Sequence, residues 1–198
     1  MNNTSGEDYT KRLFINQNKW WKRLLCVQMP YALNLKRLKL GFFLDIGCGI
    51  GRNLINLNGN GIGIDHNKDS IEICRKHNLM AFTVNEFLSS EYAKKSIFDS
   101  ILISHVLEHL TEDESLILLS DYLPCLKENG KVIIIVPQEA GFKSDPTHKT
   151  FIEKNGLLNI TCKHNLKLLK TYSFPFPRFI GKIFKYNETY YILEKVNP

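Results

Sequence analysis

No stretch of this 198-residue chain is apolar for long enough to cross a membrane; the longest apolar runs, such as residues 132–136, are only of strand length. No C-x-x-C pair occurs. The five cysteines (Cys26, Cys48, Cys74, Cys125, Cys162) are odd in number and widely scattered, which argues against a disulfide framework and a thiolate zinc site and predicts a reducing, cytoplasmic setting. The opening MNNTSGEDYTKRLF lacks the apolar centre of a secretory signal, so none is expected. Internal repeats and low-complexity tracts are absent too. Acidic residues are scarce in one segment: residues 1–41 hold eight basic side chains against two acidic ones, which is the whole net charge of +6, while the remainder balances at 18 and 18. A basic arm beside a neutral body predicts an acidic or phosphorylated partner, unless it is simply the solvated face of a helix.

What is present is ordinary for one soluble domain, with 43% hydrophobic and 23% charged residues. Residues 8–28 place Leu13, Phe14, Trp20, Trp21, Leu24 and Leu25 at helical spacing, and Pro30 is expected to end that amphipathic helix. From residue 42 strands and helices alternate. Strands are expected at 42–46, 62–65, 80–84, 98–104 and 131–136, with helices at 52–57, 68–76 and 112–127, the last closed by Glu128-Asn129-Gly130. This alternation predicts an α/β fold with a doubly wound, Rossmann-like parallel sheet and ligands above the carboxyl ends of its strands. The chain divides into a basic arm or lid, 1–41, and a body, 42–198.

The strongest signal is LDIGCGIGRNL. Asp45 ends a strand, Gly47, Gly49 and Gly51 make a tight turn around Cys48, and a helix opens at once. Side chains there would keep a ligand from the backbone. A dinucleotide loop, G-x-G-x-x-G, would put its third glycine at position 52, where Arg52 stands. Asp65, twenty positions after Asp45, ends the next strand, where a carboxylate can accept both hydroxyls of a ribose. Together these residues describe a nucleoside pocket.

FLDIGCGIGRNL, GIGID, HVLEHL and LKENGKVIIIVP stand in an order and spacing that resembles the class I S-adenosylmethionine-dependent methyltransferases, over about residues 42–137, and within them the bacterial small-molecule and quinone-biosynthesis-type group. The resemblance implies a seven-stranded, mostly parallel sheet with an antiparallel C-terminal strand, and S-adenosylmethionine as cofactor. It implies that Asp45, Gly47, Cys48, Gly49 and Gly51 hold the methionyl part and Asp65 the ribose. His66 would flank the adenine, Asn85 or Glu86 would lie near it, and backbone at Ser104 and His105 would contact the cofactor. It names a reaction and leaves the acceptor open.

HVLEHL poses a rival reading, because His105-Val106-Leu107-Glu108-His109 spells the H-x-x-E-H zinc order of inverted metallopeptidases. That site needs both histidines on one helix. Here a strand, FDSILIS, runs directly into His105, so only Glu108 and His109 are expected in a helical turn, and no metal is expected.

After strand five, PQEAGFKSDPTHKTF offers Gln138, Glu139, Asp145 and His148 at the ligand edge of the sheet. Histidine is the usual general base at neutral pH, which makes His148 the candidate, oriented by Asp145, with His105 a further catalytic candidate. A competing role has Ser144 or Asp145 capping a helix that starts at Pro146. The aromatic C-terminal stretch, with Phe174, Phe176, Arg178, Phe179 and Tyr186, is either a lid over substrate or core packing, and residues 190–196 alternate like a last strand at the sheet edge. The expected function is methyl transfer to a small-molecule acceptor. The alternatives are a catalytically silent cofactor-binding subunit and an RNA or protein methyltransferase, with nucleic acid disfavoured because no RNA-binding module is present.

Overall fold

A computed structural model describes residues 28–196. The expected helix over 8–28, with Trp20 and Trp21, lies outside the described residues except for its last position. Pro30 sits in the first turn of α1 (Met29–Arg37), where proline's missing N–H has no partner to lose.

The chain forms two compact units, Met1–Ala93 and Lys94–Pro198. In the first, β1 (Phe43–Ile46), α2 (Arg52–Asn56), β2 (Gly61–Asp65), α3 (Lys68–Lys76), β3 (Ala81–Thr83) and α4 (Val84–Leu88) follow one another. Strands β1 and β2 are buried at every residue, as a parallel strand covered on both faces must be. They pair in parallel, as do β2 and β3, in the order β3-β2-β1. The Asn67 side chain accepts from Ser70 N at 3.2 Å to start α3, with Asp69 in the first turn and Arg75 and Lys76 in the last, both matched to the helix dipole.

In the second unit β4 (Phe98–Ser104) leads through the 3-10 turn Leu107–His109 to α5 (Glu112–Tyr122), then to β5 (Leu126–Pro137), α6 (Glu139–Lys143), α7 (Lys154–Cys162), β6 (Leu166–Phe174) and β7 (Glu188–Lys195). A Thr111–Glu114 capping box opens α5. The helix stops at Tyr122 rather than 127, because Pro124 diverts the chain into a 3-10 turn. Glu128-Asn129-Gly130 therefore lies inside β5, where the register against β4 shifts between Phe98 and Ser100.

The order in this unit is β4-β5-β7-β6, with β4 and β5 parallel and β7 antiparallel to both its neighbours. The last strand is thus antiparallel as expected but is not the edge; β6 is. With seven strands among the described residues, helices between them and antiparallel pairing confined to the C-terminal strands, the Rossmann-like plan read from the sequence is what the chain adopts. Among the described residues no helix is long and apolar enough to cross a membrane.

Candidate functional site

In the first unit the glycine loop is stitched to β2. Gly47 N and Cys48 N donate to the Ile64 carbonyl at 2.8 and 3.0 Å, and Gly49 N donates to Asp65 Oδ2 at 2.8 Å. Asp65 Oδ1 in turn accepts from Asn67 N at 2.8 Å. Gly47, Gly49 and Gly51 have φ of 71°, 53° and 81°, the left-handed region a side chain rarely tolerates. A carboxylate has about four acceptor positions, so Asp65 can hold the loop and still accept from a diol.

Asp45 lies beneath this loop with no exposed surface. Its Oδ1 accepts from Asn53 Nδ2 at 3.4 Å, and its Oδ2 is buried without a hydrogen-bond partner. Burial raises its carboxyl to about 7, against the opposing pull of the Asn53 hydrogen bond and the Arg52 charge. A buried acid with one oxygen unsatisfied, under backbone left open by glycines, suits a ligand that brings a cationic amine. Those residues fit S-adenosylmethionine, whose methionyl ammonium would satisfy that oxygen.

At the end of β3, Thr83 caps α4, and Glu86 is spent there. It accepts from Thr83 N at 2.7 Å, from Thr83 Oγ1 at 2.9 Å and from Arg75 Nη2 at 2.8 Å. The Arg75 guanidinium, then the Thr83 bonds, hold its carboxyl down at about 2. Of the two adenine candidates, Asn85 is the one outside this cap. His66 is half exposed, with Nδ1 3.4 Å from Asp65 Oδ1.

In the second unit the residues around the end of β4 form a tight cluster. His105 follows the buried Ser104 and takes φ 58°, fixed by its N–H donating to the Ile135 carbonyl at 2.9 Å. Its ring lies between two acids, Nδ1 3.1 Å from Glu108 Oε1 and Nε2 2.9 Å from Glu188 Oε1. Burial would lower its pKa, but the hydrogen bonds to Glu108 and Glu188 prevail and raise it to about 10. An imidazolium has no lone pair, so His105 is poorly suited to act as a base. Tyr190 O–H donates to the other oxygen of Glu188 at 3.0 Å.

The loop after β5 is pinned against the 3-10 turn. Lys149 N and Thr150 N donate to the Glu108 carbonyl at 2.7 and 3.1 Å, and Thr150 Oγ1 donates to the Leu110 carbonyl at 2.6 Å. His109 Nδ1 is 3.4 Å from the Thr147 carbonyl and 3.1 Å from Thr147 Oγ1. Burial lowers the His109 pKa. His148 packs edge-on to His109, with ring centres 4.7 Å apart, and stacks on Phe142 at 5.3 Å.

Asp145 does not reach His148 with its hydrogen bonds. Its Oδ1 accepts from Thr147 N at 2.9 Å and Thr147 Oγ1 at 2.7 Å, while His148 Nδ1 is oriented instead by the Phe142 carbonyl at 2.7 Å. No helix starts at Pro146. Ser144 closes α6, and the next helix waits until Lys154. Gln138 and Glu139 are structural: Gln138, 1% exposed, binds Ser173, Thr189, the Glu188 carbonyl and Asn187, and Glu139 pairs with both terminal nitrogens of Arg178 at 2.6 and 2.8 Å.

Of the aromatic lid candidates, Phe176, Phe179 and Tyr186 are exposed, whereas Phe174 packs edge-on to buried Tyr190. Sequence reasoning missed Glu188, Thr147 and Asn53. Glu188 had a usable signal, an acid two residues before Tyr190 on the same face of an alternating strand. Thr147 had none.

The comparisons with known proteins agree with this geometry. A family described as a methyltransferase domain matches residues 22–192. Among curated proteins, the chain is 33% identical over 94 residues to the tRNA (carboxymethyluridine(34)-5-O)-methyltransferase alkbh8 of Xenopus tropicalis, covering 46% of this chain and 15% of that protein. It is 33% identical over 104 residues to the ubiquinone/menaquinone biosynthesis C-methyltransferase UbiE of Wigglesworthia glossinidia brevipalpis, covering 46% and 41%. It thus spans less than half the length of either. A SAM-dependent methyltransferase structure from Archaeoglobus fulgidus has the same fold, with a TM-score of 0.69 and 21% identity over 93% of this chain and 99% of the other. The chain belongs to the methyltransferase-domain family and has the fold of the S-adenosylmethionine-dependent methyltransferases.

Proposed function

We propose that this protein is an S-adenosylmethionine-dependent methyltransferase acting on a small-molecule acceptor in the cytoplasm. The observation that carries the cofactor is buried Asp45 with its unsatisfied Oδ2, beneath a glycine loop tied to Asp65. Asp45, Gly47, Cys48, Gly49 and Gly51 would hold the methionyl part, Asp65 the ribose, and His66 and Asn85 the adenine. The cofactor supplies the electrophilic methyl group; the protein's task is to exclude water and align the acceptor.

For the acceptor, what supports a small molecule is a cavity of about 590 Å³ in the second unit, lined among others by Tyr172, Ser173, Arg178, Thr189 and Tyr191. His148 would act as base through Nε2, oriented by the Phe142 carbonyl, while the hydrogen bonds of Asp145 reach Thr147 and, through it, His109. The basic segment 1–41 would draw an acidic or phosphorylated acceptor. The partial match to a tRNA methyltransferase favours RNA as the second reading.

Calorimetry tests the first part. Because the carboxyl of Asp45 sits at about 7, it is mostly protonated at pH 6. A cation bound beside it favours the ionised form, so binding of S-adenosylmethionine should release close to one proton per cofactor at pH 6 and few at pH 8. Affinity should fall by up to tenfold per pH unit below 7. Asp45→Asn should abolish both the proton release and the slope. Binding that is equally tight at pH 6 and 8, or no binding at all, would refute the assignment. Transfer of labelled methyl groups to extracted metabolites rather than to tRNA separates the two acceptor classes.

A further inference from the structure

Glu108, His109 and His148 each bring one metal-ligating atom within 4.8 Å of the others. Hydrogen bonds identify which atoms are free. A carbonyl only accepts, so His148 Nδ1, 2.7 Å from the Phe142 carbonyl, carries the ring hydrogen and leaves a lone pair on Nε2. His109 Nδ1 faces the Thr147 carbonyl and a hydroxyl that already donates to Asp145 Oδ1, so it too carries the hydrogen and Nε2 is left bare. Glu108 is fully buried; its Oε1 is held by His105, and its Oε2 is buried without a hydrogen-bond partner. A buried carboxylate oxygen is costly to leave unsatisfied, and neither bare imidazole nitrogen of the cluster has a hydrogen to offer it.

We propose that Glu108, His109 and His148 bind a divalent first-row metal ion, zinc in the first instance. Two imidazoles and one carboxylate are the donor set of open zinc sites, in which three protein ligands leave a coordination position free. Each ligand's second polar atom is anchored, by His105, by Thr147 and by Phe142, as the ligands of built metal sites are. The set is not the H-x-x-E-H pair. His105 has both ring nitrogens on carboxylates and is a positioning residue for Glu108, while His148 comes from the loop after β5, thirty-nine residues beyond His109. The metal-free turn expected from the sequence gives way to a site that only the fold assembles. Resting on the methyltransferase reading but replacing His148 as base, whose Nε2 lone pair the metal would occupy, the free position would take an acceptor oxygen and ease loss of its proton to solvent.

The test uses the full chain, stripped with a chelator and titrated with zinc sulfate by calorimetry and with cobalt chloride by visible absorption. One equivalent of zinc should bind per chain. Cobalt should develop the intense bands of a low-coordinate ion with nitrogen and oxygen ligands. His148→Ala and Glu108→Gln should each weaken zinc binding at least 100-fold while S-adenosylhomocysteine binding, which reports on the glycine loop, stays intact. A stripped wild-type chain that leaves cobalt with its hexaaqua spectrum overturns the proposal, as does a His148→Ala protein that binds zinc as tightly as wild type. Should both variants unfold, the wild-type cobalt spectrum decides alone. Cofactor binding without metal binding defeats this proposal only, and metal binding without cofactor binding defeats the methyltransferase reading only.

Discussion

Asp65→Ala should weaken S-adenosylmethionine binding by about 10–100-fold, since charge-assisted hydrogen bonds contribute roughly 1.5–3 kcal/mol each and several end on this carboxylate. Two are internal, from Gly49 N and Asn67 N at 2.8 Å each, and the cofactor's ribose would add others. The variant loses the ligand contact and the tie that fixes the loop together, so its melting temperature should fall even without cofactor. Asp65→Asn separates the two roles. The amide oxygen can still accept from one backbone N–H, so the melting temperature should recover more than the affinity does. An Asp65→Ala protein that binds with wild-type affinity in calorimetry would remove Asp65 from the cofactor site.

Gly51→Val should strongly destabilise the first unit. The residue has φ 81°, where an L side chain costs roughly 1–2 kcal/mol. An added Cβ would stand 2.5 Å from Leu79 Cδ1 and 3.0 Å from Cys74 Sγ, and overpacking of this kind typically costs about 1–3 kcal/mol more. At about 2–4 °C per kcal/mol for a chain of this size, differential scanning calorimetry should find the transition lowered by roughly 5–15 °C. Gly59→Ala is the control, with a similar φ of 71° and nothing within 4 Å of the added atom, and should show the backbone cost alone. Equal shifts for the two variants would mean that the packing contributes nothing.

Elements whose signals are local were legible from the sequence. Asn67 as cap, the acidic first turn and the basic last turn mark α3 residue by residue, and β4 is an apolar strand bounded by Ile97 and the polar His105. The glycine loop was legible because each glycine answers to a backbone angle. Proline misled at Pro146, read as a helix start but standing in a loop, because a proline's φ fits either context. Strand β6 was missed because, as an edge strand, it alternates Lys167, Leu168, Leu169 and Lys170 without a clean period of two. The His105 clamp was not legible as a unit, even though Glu108 and Glu188 each carried a signal, since they are brought together only by the pairing of β5 with β7 and the turn after β4.

The bond from His105 to Glu188 joins positions 83 residues apart. Contacts of such span close late, because a long loop must be ordered before they repay its entropy. A chain emerging from the ribosome can complete its glycine loop as soon as β2 has docked on β1, yet His105 has only one of its two acids until residue 188 is synthesised. In the nascent protein the glycine loop and its tie to Asp65 can therefore form well before the electrostatics of the second unit are set. Any product that stops short of β7, whether by proteolysis or by premature termination, would retain the glycine loop and Asp65 but leave His105 with a single counter-charge.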